Sequence, residues 1–233
     1  MSDNSDESFI VSSLRELKKP SAVIITLLLT GASILLTKFL GMRISPDLRV
    51  SFAFVGIMGV AVLYGAIPCM IAAAAADIIG YIIDDGQIRS YNLWILAVKL
   101  ICAFFYGWFL YKKRYGRIGA ARWLETFLPA SVVENIEISV RGLTARIAVI
   151  FMGNIVLNSM VLYHSYQNKA FPFVSGEEWH NFLVWTKPRA DTNISMMPFE
   201  CTVCFLALPL INILVMLTGK IHRNKAWHPH KRV

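Results

Sequence analysis

The stretch from Val50 to Ala76 contains no charged residue. Continued to Ile83 as one helix it would be roughly 50 Å long, too long for a hydrocarbon core about 30 Å thick. Tyr64-Gly65-Ala66-Ile67-Pro68 supplies a break, because Gly frees the backbone and Pro fits the first turn of a new helix. With this run divided, six apolar segments stand out: about 21–41, 50–64, 67–83, 92–111, 143–166 and 195–218. Only 16% of the 233 residues are charged and 56% are hydrophobic, against about 25% charged in a soluble domain. That balance excludes a disordered chain, a disulfide-rich secreted domain and an ordinary cytosolic enzyme. Six spans take about 120 residues, which leaves no room for a second large domain. The sequence predicts an all-α integral membrane protein: a six-helix membrane domain over 21–218, a polar segment 1–20 and a basic tail 219–233.

The first apolar run is too long for a signal-peptide core, and no small-x-small cleavage site follows it, so it reads as a retained helix. Lys and Arg then set the orientation. With six spans, fourteen cations share one side (Arg15, Lys18, Lys19; six between Lys112 and Arg141; five from Lys220 to Arg232), and six lie on the other (Arg43, Arg49, Arg89, Lys169, Lys187, Arg189). Both termini are therefore expected in the cytoplasm of a multi-pass protein of the bacterial plasma membrane. Seven acids accompany the fourteen cations, so the net charge of +8 reflects orientation and not a nucleic-acid surface. Within the 112–141 connection, Trp123, Leu124, Phe127, Leu128, Val132 and Val133 with Arg122, Glu125 and Glu134 suggest a short amphipathic helix, lying at the inner surface or docking a partner. Cys69, Cys102, Cys201 and Cys204 all fall in apolar segments and read as small buried side chains; no set at metal spacing accompanies them.

Charges inside apolar spans need a partner or a task. Asp77, Lys99, Arg146 and Glu200 qualify. Lys99 either pairs with Asp77 or Glu200 or anchors an anionic substrate. Asn154 and Asn158 share a helical face and either bond across helices or read a ligand's heterocycle. Tyr91, Trp94, Trp179 and Trp185 sit at expected outer ends, as interfacial belts or as stacking platforms. Ala72, Ala76 and Gly80 form one small-residue row, and Thr26, Thr30, Ser33 and Thr37 form a stripe beside Gly31. Such rows allow close helix approach, within the bundle or onto another membrane subunit. No phosphate loop, H-E-x-x-H or G-x-S-x-G motif is present, so no catalytic set emerges and uphill transport would need energy from another subunit or an ion gradient.

Several pieces in order resemble the folate-type substrate-binding (S) components of energy-coupling-factor (ECF) vitamin transporters. They are Leu48-Arg49-Val50-Ser51-Phe52-Ala53-Phe54 followed by Tyr64-Gly65; Ala76-Asp77-Ile78-Ile79-Gly80; Phe105-Tyr106-Gly107-Trp108 running to Lys113; and Asn154 to Ser159, similar to the family's N-x-x-x-N-T. Arg189, Asn193, Pro198 and Glu200 keep the spacing of its arginine, asparagine and P-x-E signature. The likeness covers about 22–112 and 146–218. Departures are Leu27…Gly31 in place of A-x-x-x-A, Tyr91 to Leu96 in place of a P-G-F-T-L-S-like segment, and Thr192 where lysine is frequent.

The resemblance implies a non-enzymatic subunit that captures a vitamin from outside, docks on a transmembrane coupling subunit and topples to release it inward. Two ATPase subunits use the ATP, and the chain itself needs no cofactor or metal. A folate-like ligand carries tail carboxylates and a flat pterin ring, so it needs cations at one end and stacking with amide hydrogen bonds at the other. Arg49, Arg189 and Lys99 are the candidates for the first, and Asn158, Tyr91 and Trp94 for the second. Gly31, Thr30, Ala72 and Ala76 are the candidates for the coupling face. Competing expectations are an S component for another vitamin or anionic metabolite, a membrane-embedded enzyme acting on lipid headgroups, and an assembly subunit without a ligand.

Overall fold

The computed structural model describes residues 9–39, 42–45, 48–50, 52–83, 91–111, 123–167 and 175–217. A short helix α1 (Phe9–Glu16) precedes α2 (Pro20–Phe39), and a two-stranded antiparallel hairpin, β1 (Met42–Ser45) and β2 (Leu48–Val50), follows. Then come α3 (Ala53–Tyr64), α4 (Ala66–Ile83), α5 (Leu93–Leu110) and α6 (Ala130–Ala148). A nine-residue π-helix (Val149–Leu157) continues α6 directly into α7 (Asn158–Gln167), and α8 (Gly176–Leu217) ends the described chain. Among the described residues, five helical stretches are long and apolar enough to cross a membrane, with Ala130–Tyr166 counted as one; α3, at 12 residues, is a shorter apolar helix.

The expected boundaries hold for α2 to α5. The break after Tyr64 sits at Gly65, whose φ of +85° suits glycine. Cys69 Sγ reaches Ile57 O at 3.4 Å across the fold-back. Ser13 of α1 closes the break: its hydroxyl donates to Tyr64 O and accepts from Ile67 N, both at 3.0 Å. Ser12 bonds the Tyr111 hydroxyl, and Phe9 packs edge-on against Phe104 and Trp108. Residues 9–16, expected as part of a polar segment, are thus a helix that covers this end of the bundle.

Two boundaries differ from expectation. Trp123 and Leu124 are helical, Glu125 to Phe127 form a turn, and Ala130 already begins the long helix expected at 143; the part of the expected amphipathic segment before Trp123 lies outside the described residues. The last helix begins at Gly176, not 195, and runs 42 residues, roughly 63 Å. Hydropathy marks only the part of a helix that meets hydrocarbon; both helices continue past it. The polar extension of α6 is tied to the apolar part of α8. Asn212 Nδ2 donates to Asn135 Oδ1 at 3.0 Å, and Ser139 Oγ donates to Phe205 O at 2.9 Å. The second bond answers Pro209, which has no N–H for the carbonyl four residues before it.

The core centres on α3, of which ten residues from Phe54 to Tyr64 are buried against α2, α4, α5 and α8. Small residues permit that density. A Cβ on Gly107 would collide with the Ala66 backbone, so α4 and α5 touch main chain to main chain there. All four cysteines are buried and unpaired.

Candidate functional site

A cavity of about 1080 Å³ runs through the half of the bundle opposite α1. Its upper wall is made by helix ends: Lys38 closes α2, Tyr81 lies near the end of α4, Tyr91 just precedes α5, and Tyr166 lies near the end of α7. Its floor lies deeper, at Phe54, Tyr106, Arg146 and Glu200. Along α8 the distance from Arg189 to Glu200 is about 16 Å at α-helical rise.

The floor is a buried ionic cluster. Arg146 Nη2 lies 2.8 Å from Glu200 Oε2, and Nη1 donates to the Tyr106 hydroxyl at 2.6 Å. The guanidinium also stacks 3.9 Å above the Phe54 ring centroid. Arg146 and Glu200 are only 6% and 7% exposed, so each needs the other to remain charged in this medium. The sequence marks both as charges in need of partners, but not as parts of the site. Their mutual choice, across 54 residues of chain, has no local sequence signal.

Higher on the wall, Lys99 pairs with Asp77, and the Tyr91 hydroxyl donates to the second Asp77 oxygen at 2.8 Å. The internal pair considered from sequence therefore forms, with Asp77 and not Glu200. The Lys99 side chain is still half exposed in the cavity. Burial, and then the Asp77 carboxylate, push the Tyr91 phenol up to about 12, so it stays a proton donor at neutral pH. Arg189 lies 5.9 Å from the Trp185 ring centroid, beside a cluster of Tyr163, Phe182 and Trp179. Asn193 Nδ2 donates to Arg189 O, which fixes one face of α8. Asn158 lines the cavity with a buried Oδ1 that has no partner.

Of the residues proposed from sequence for the ligand, Lys99, Arg189, Asn158 and Tyr91 all line this one cavity. Trp94 does not; it is 66% exposed, and its backbone N–H caps α5 by bonding Asn92 Oδ1. Arg49 sits in β2 opposite Arg43. The coupling candidates divide differently. Thr30 and Ala72 are buried in the bundle, and Ala76 lines the cavity. Gly31 has open space where a Cβ would point. Ser33 brings α2 close to α3 at Gly56, while Gly80, like Gly31, has open space beside it.

Among the described residues, six charged ones line the cavity: Lys38, Lys99, Arg146 and Arg189 against Asp77 and Glu200, a balance of four cations minus two acids, or +2. The arrangement can hold a dianion of intermediate size, with amide and phenol hydrogen bonds to its uncharged part. No group of His, Cys, Asp and Glu suited to a metal occurs among the described residues.

No protein-family profile and no curated protein matches the sequence. Among solved structures, the fold is similar to one described as the crystal structure of FolT bound with folic acid. The TM-score is 0.57 at 16% identity, covering 81% of this chain and 93% of the other. The chain therefore shares the fold of that protein.

Proposed function

We propose that this chain is the S component of an ECF-type importer, and that its ligand is folate or a closely related anionic pterin. The cavity carries the reading. It lies in a fold shared with a protein solved with folic acid bound, and its lining balances to +2. Folate has two tail carboxylates, which would be met by Arg189 and the half-exposed Lys99 near the mouth. The pterin ring has donors and acceptors on one edge and flat faces, which suits the deeper wall with its buried, unpartnered Asn158 Oδ1.

In this reading the mouth faces outside, six helices span the bacterial plasma membrane, and the α1 end with both termini faces the cytoplasm, in accord with the Lys and Arg count. The chain is a binding subunit, not an enzyme; a transmembrane coupling subunit and two ATPase subunits supply the energy. Asp77 and Glu200, the acids a headgroup-processing enzyme would need, are both engaged by cations.

Native mass spectrometry of the purified protein is expected to reveal a co-purified pterin vitamin, and titration of emptied protein with folic acid is expected to saturate at one site. Uptake of labelled folic acid should then require co-expressed coupling and ATPase subunits. Failure to bind any member of a panel of pterin vitamins would overturn the proposal.

A further inference from the structure

The π-helix at Val149–Leu157 lies in the wall of the cavity. π-helices are rare, and nine residues is long for one. The cavity-lining residues along this continuous helix are Arg146, Val149, Asn154, Asn158, Leu162, Ser165 and Tyr166, at steps of three, five, four, four, three and one. The step of five falls inside the π-helix.

Geometry explains the spacing. An α-helix turns 100° per residue, whereas the i→i+5 bonding of a π-helix reduces this to about 80°. In a uniform α-helix Asn154 would lie about 80° and Asn158 about 120° around the axis from Arg146. With the π-helix both come within about 40° of it. At Gly153 the widened backbone presses so closely on α5 that a Cβ would collide with Cys102 Sγ. We propose that the π-helix is a positioning element of the binding site, which turns Asn154 onto the same cavity wall as Arg146 and Asn158. The inference rests on the cavity being the ligand site, but its central test does not need the ligand.

Deleting one residue lets the segment return to α-helical pitch, and the position of the deletion decides what moves. Without Val156, which is 38% exposed, Asn158 stays within about 20° of Arg146 while Asn154 turns about 80° away. Without Met152, which is 51% exposed, seven α-helical steps leave Asn154 about 20° from Arg146, as in the full chain. The two deletions remove comparable lipid-facing side chains, so a merely structural role would make them equivalent. In a cysteine-free background, Asn154→Cys should react with a charged, water-soluble methanethiosulfonate in the full chain and in the Met152 deletion, but not in the Val156 deletion. Asn158→Cys should react in all three. Folic acid affinity should fall about tenfold in the Val156 deletion and in Asn154→Ala, without further loss on combining them, and should change little in the Met152 deletion. Equal labelling of Asn154→Cys in both deletions would overturn the proposal. If neither deletion folds, Phe151→Cys in the full chain decides. A uniform α-helix running back from Asn158 turns position 151 to the cavity, whereas the π-helix leaves Phe151 outward and 44% exposed; labelling there overturns the proposal and protection supports it. If no form binds folic acid, the ligand assignment falls while the labelling pattern still decides the register.

Discussion

Arg146→Met is the sharpest test of the cavity floor. Methionine keeps much of the stem volume and removes the guanidinium. With it go the 2.8 Å pair to Glu200, the 2.6 Å bond to the Tyr106 hydroxyl and the 3.9 Å stacking on Phe54. Glu200 is 7% exposed and would be left without its cation. Removing one partner of a buried pair costs about 3–5 kcal/mol, chiefly from the stranded charge. At about 2–4 °C per kcal/mol for a chain of this size, melting should fall by roughly 6–20 °C. The assay is thermal unfolding of detergent-purified protein, followed by intrinsic fluorescence. The double variant Arg146→Met with Glu200→Leu removes both charges and should recover most of the loss, because an apolar replacement of a buried pair is often neutral or stabilising. A single variant that melts within about 2 °C of the parent, or a double variant no better than the single, would refute the claim that the two charges hold each other.

Lys99 and Asp77 offer a test by sign. If Lys99 meets ligand carboxylates, Lys99→Met weakens folic acid binding, while Asp77→Asn frees the ammonium and strengthens it; calorimetric titration separates these from equal losses in both. Gly107→Ala forces a Cβ into the Ala66 backbone and should destabilise the protein by about 3 kcal/mol, read as a lower melting temperature with ligand affinity largely unchanged in the folded fraction. Ser13→Ala leaves Tyr64 O without its hydroxyl donor and Ile67 N without its acceptor, at about 1–3 kcal/mol. Hydrogen exchange should rise locally around Gly65, far from the cavity, and a flat exchange profile there would argue against the bridge.

Apolar runs and the Gly65–Pro68 break made α2 to α5 legible in the sequence, because chain length and backbone freedom act locally. The extended starts of α6 and α8 were not legible, since Ala130 to Arg141 and Gly176 to Ile194 mix polar and apolar residues. What keeps such stretches helical is contact with neighbours, such as Asn135 with Asn212. In the site, charges inside spans were flagged by their cost alone, and Lys99 with Asp77 was among the pairings that followed. The pairing of Arg146 with Glu200 depends on how α6 and α8 lie against each other, which no local pattern records. Trp94 lies outside this cavity for a related reason. It is three residues from Tyr91, but the start of α5 lies between them and turns the indole outward. The π-helix left one trace: Arg146, Asn154 and Asn158 do not share a face at α-helical pitch.

The brevity of α3 bears on how the chain enters a bilayer. Twelve residues rise about 18 Å, well short of a hydrocarbon thickness near 30 Å, and nearly all of them end among other helices instead of lipid. On its own α3 therefore has neither the length nor the lipid contact to hold a place in the membrane, and it depends on the helices around it. In the proposed orientation Gly65 lies at the cytoplasmic end, so α3 returns to a turn that stays inside and α4 starts the next crossing from there. Insertion of the central helix is thus a property of the assembled bundle and not of its own hydropathy.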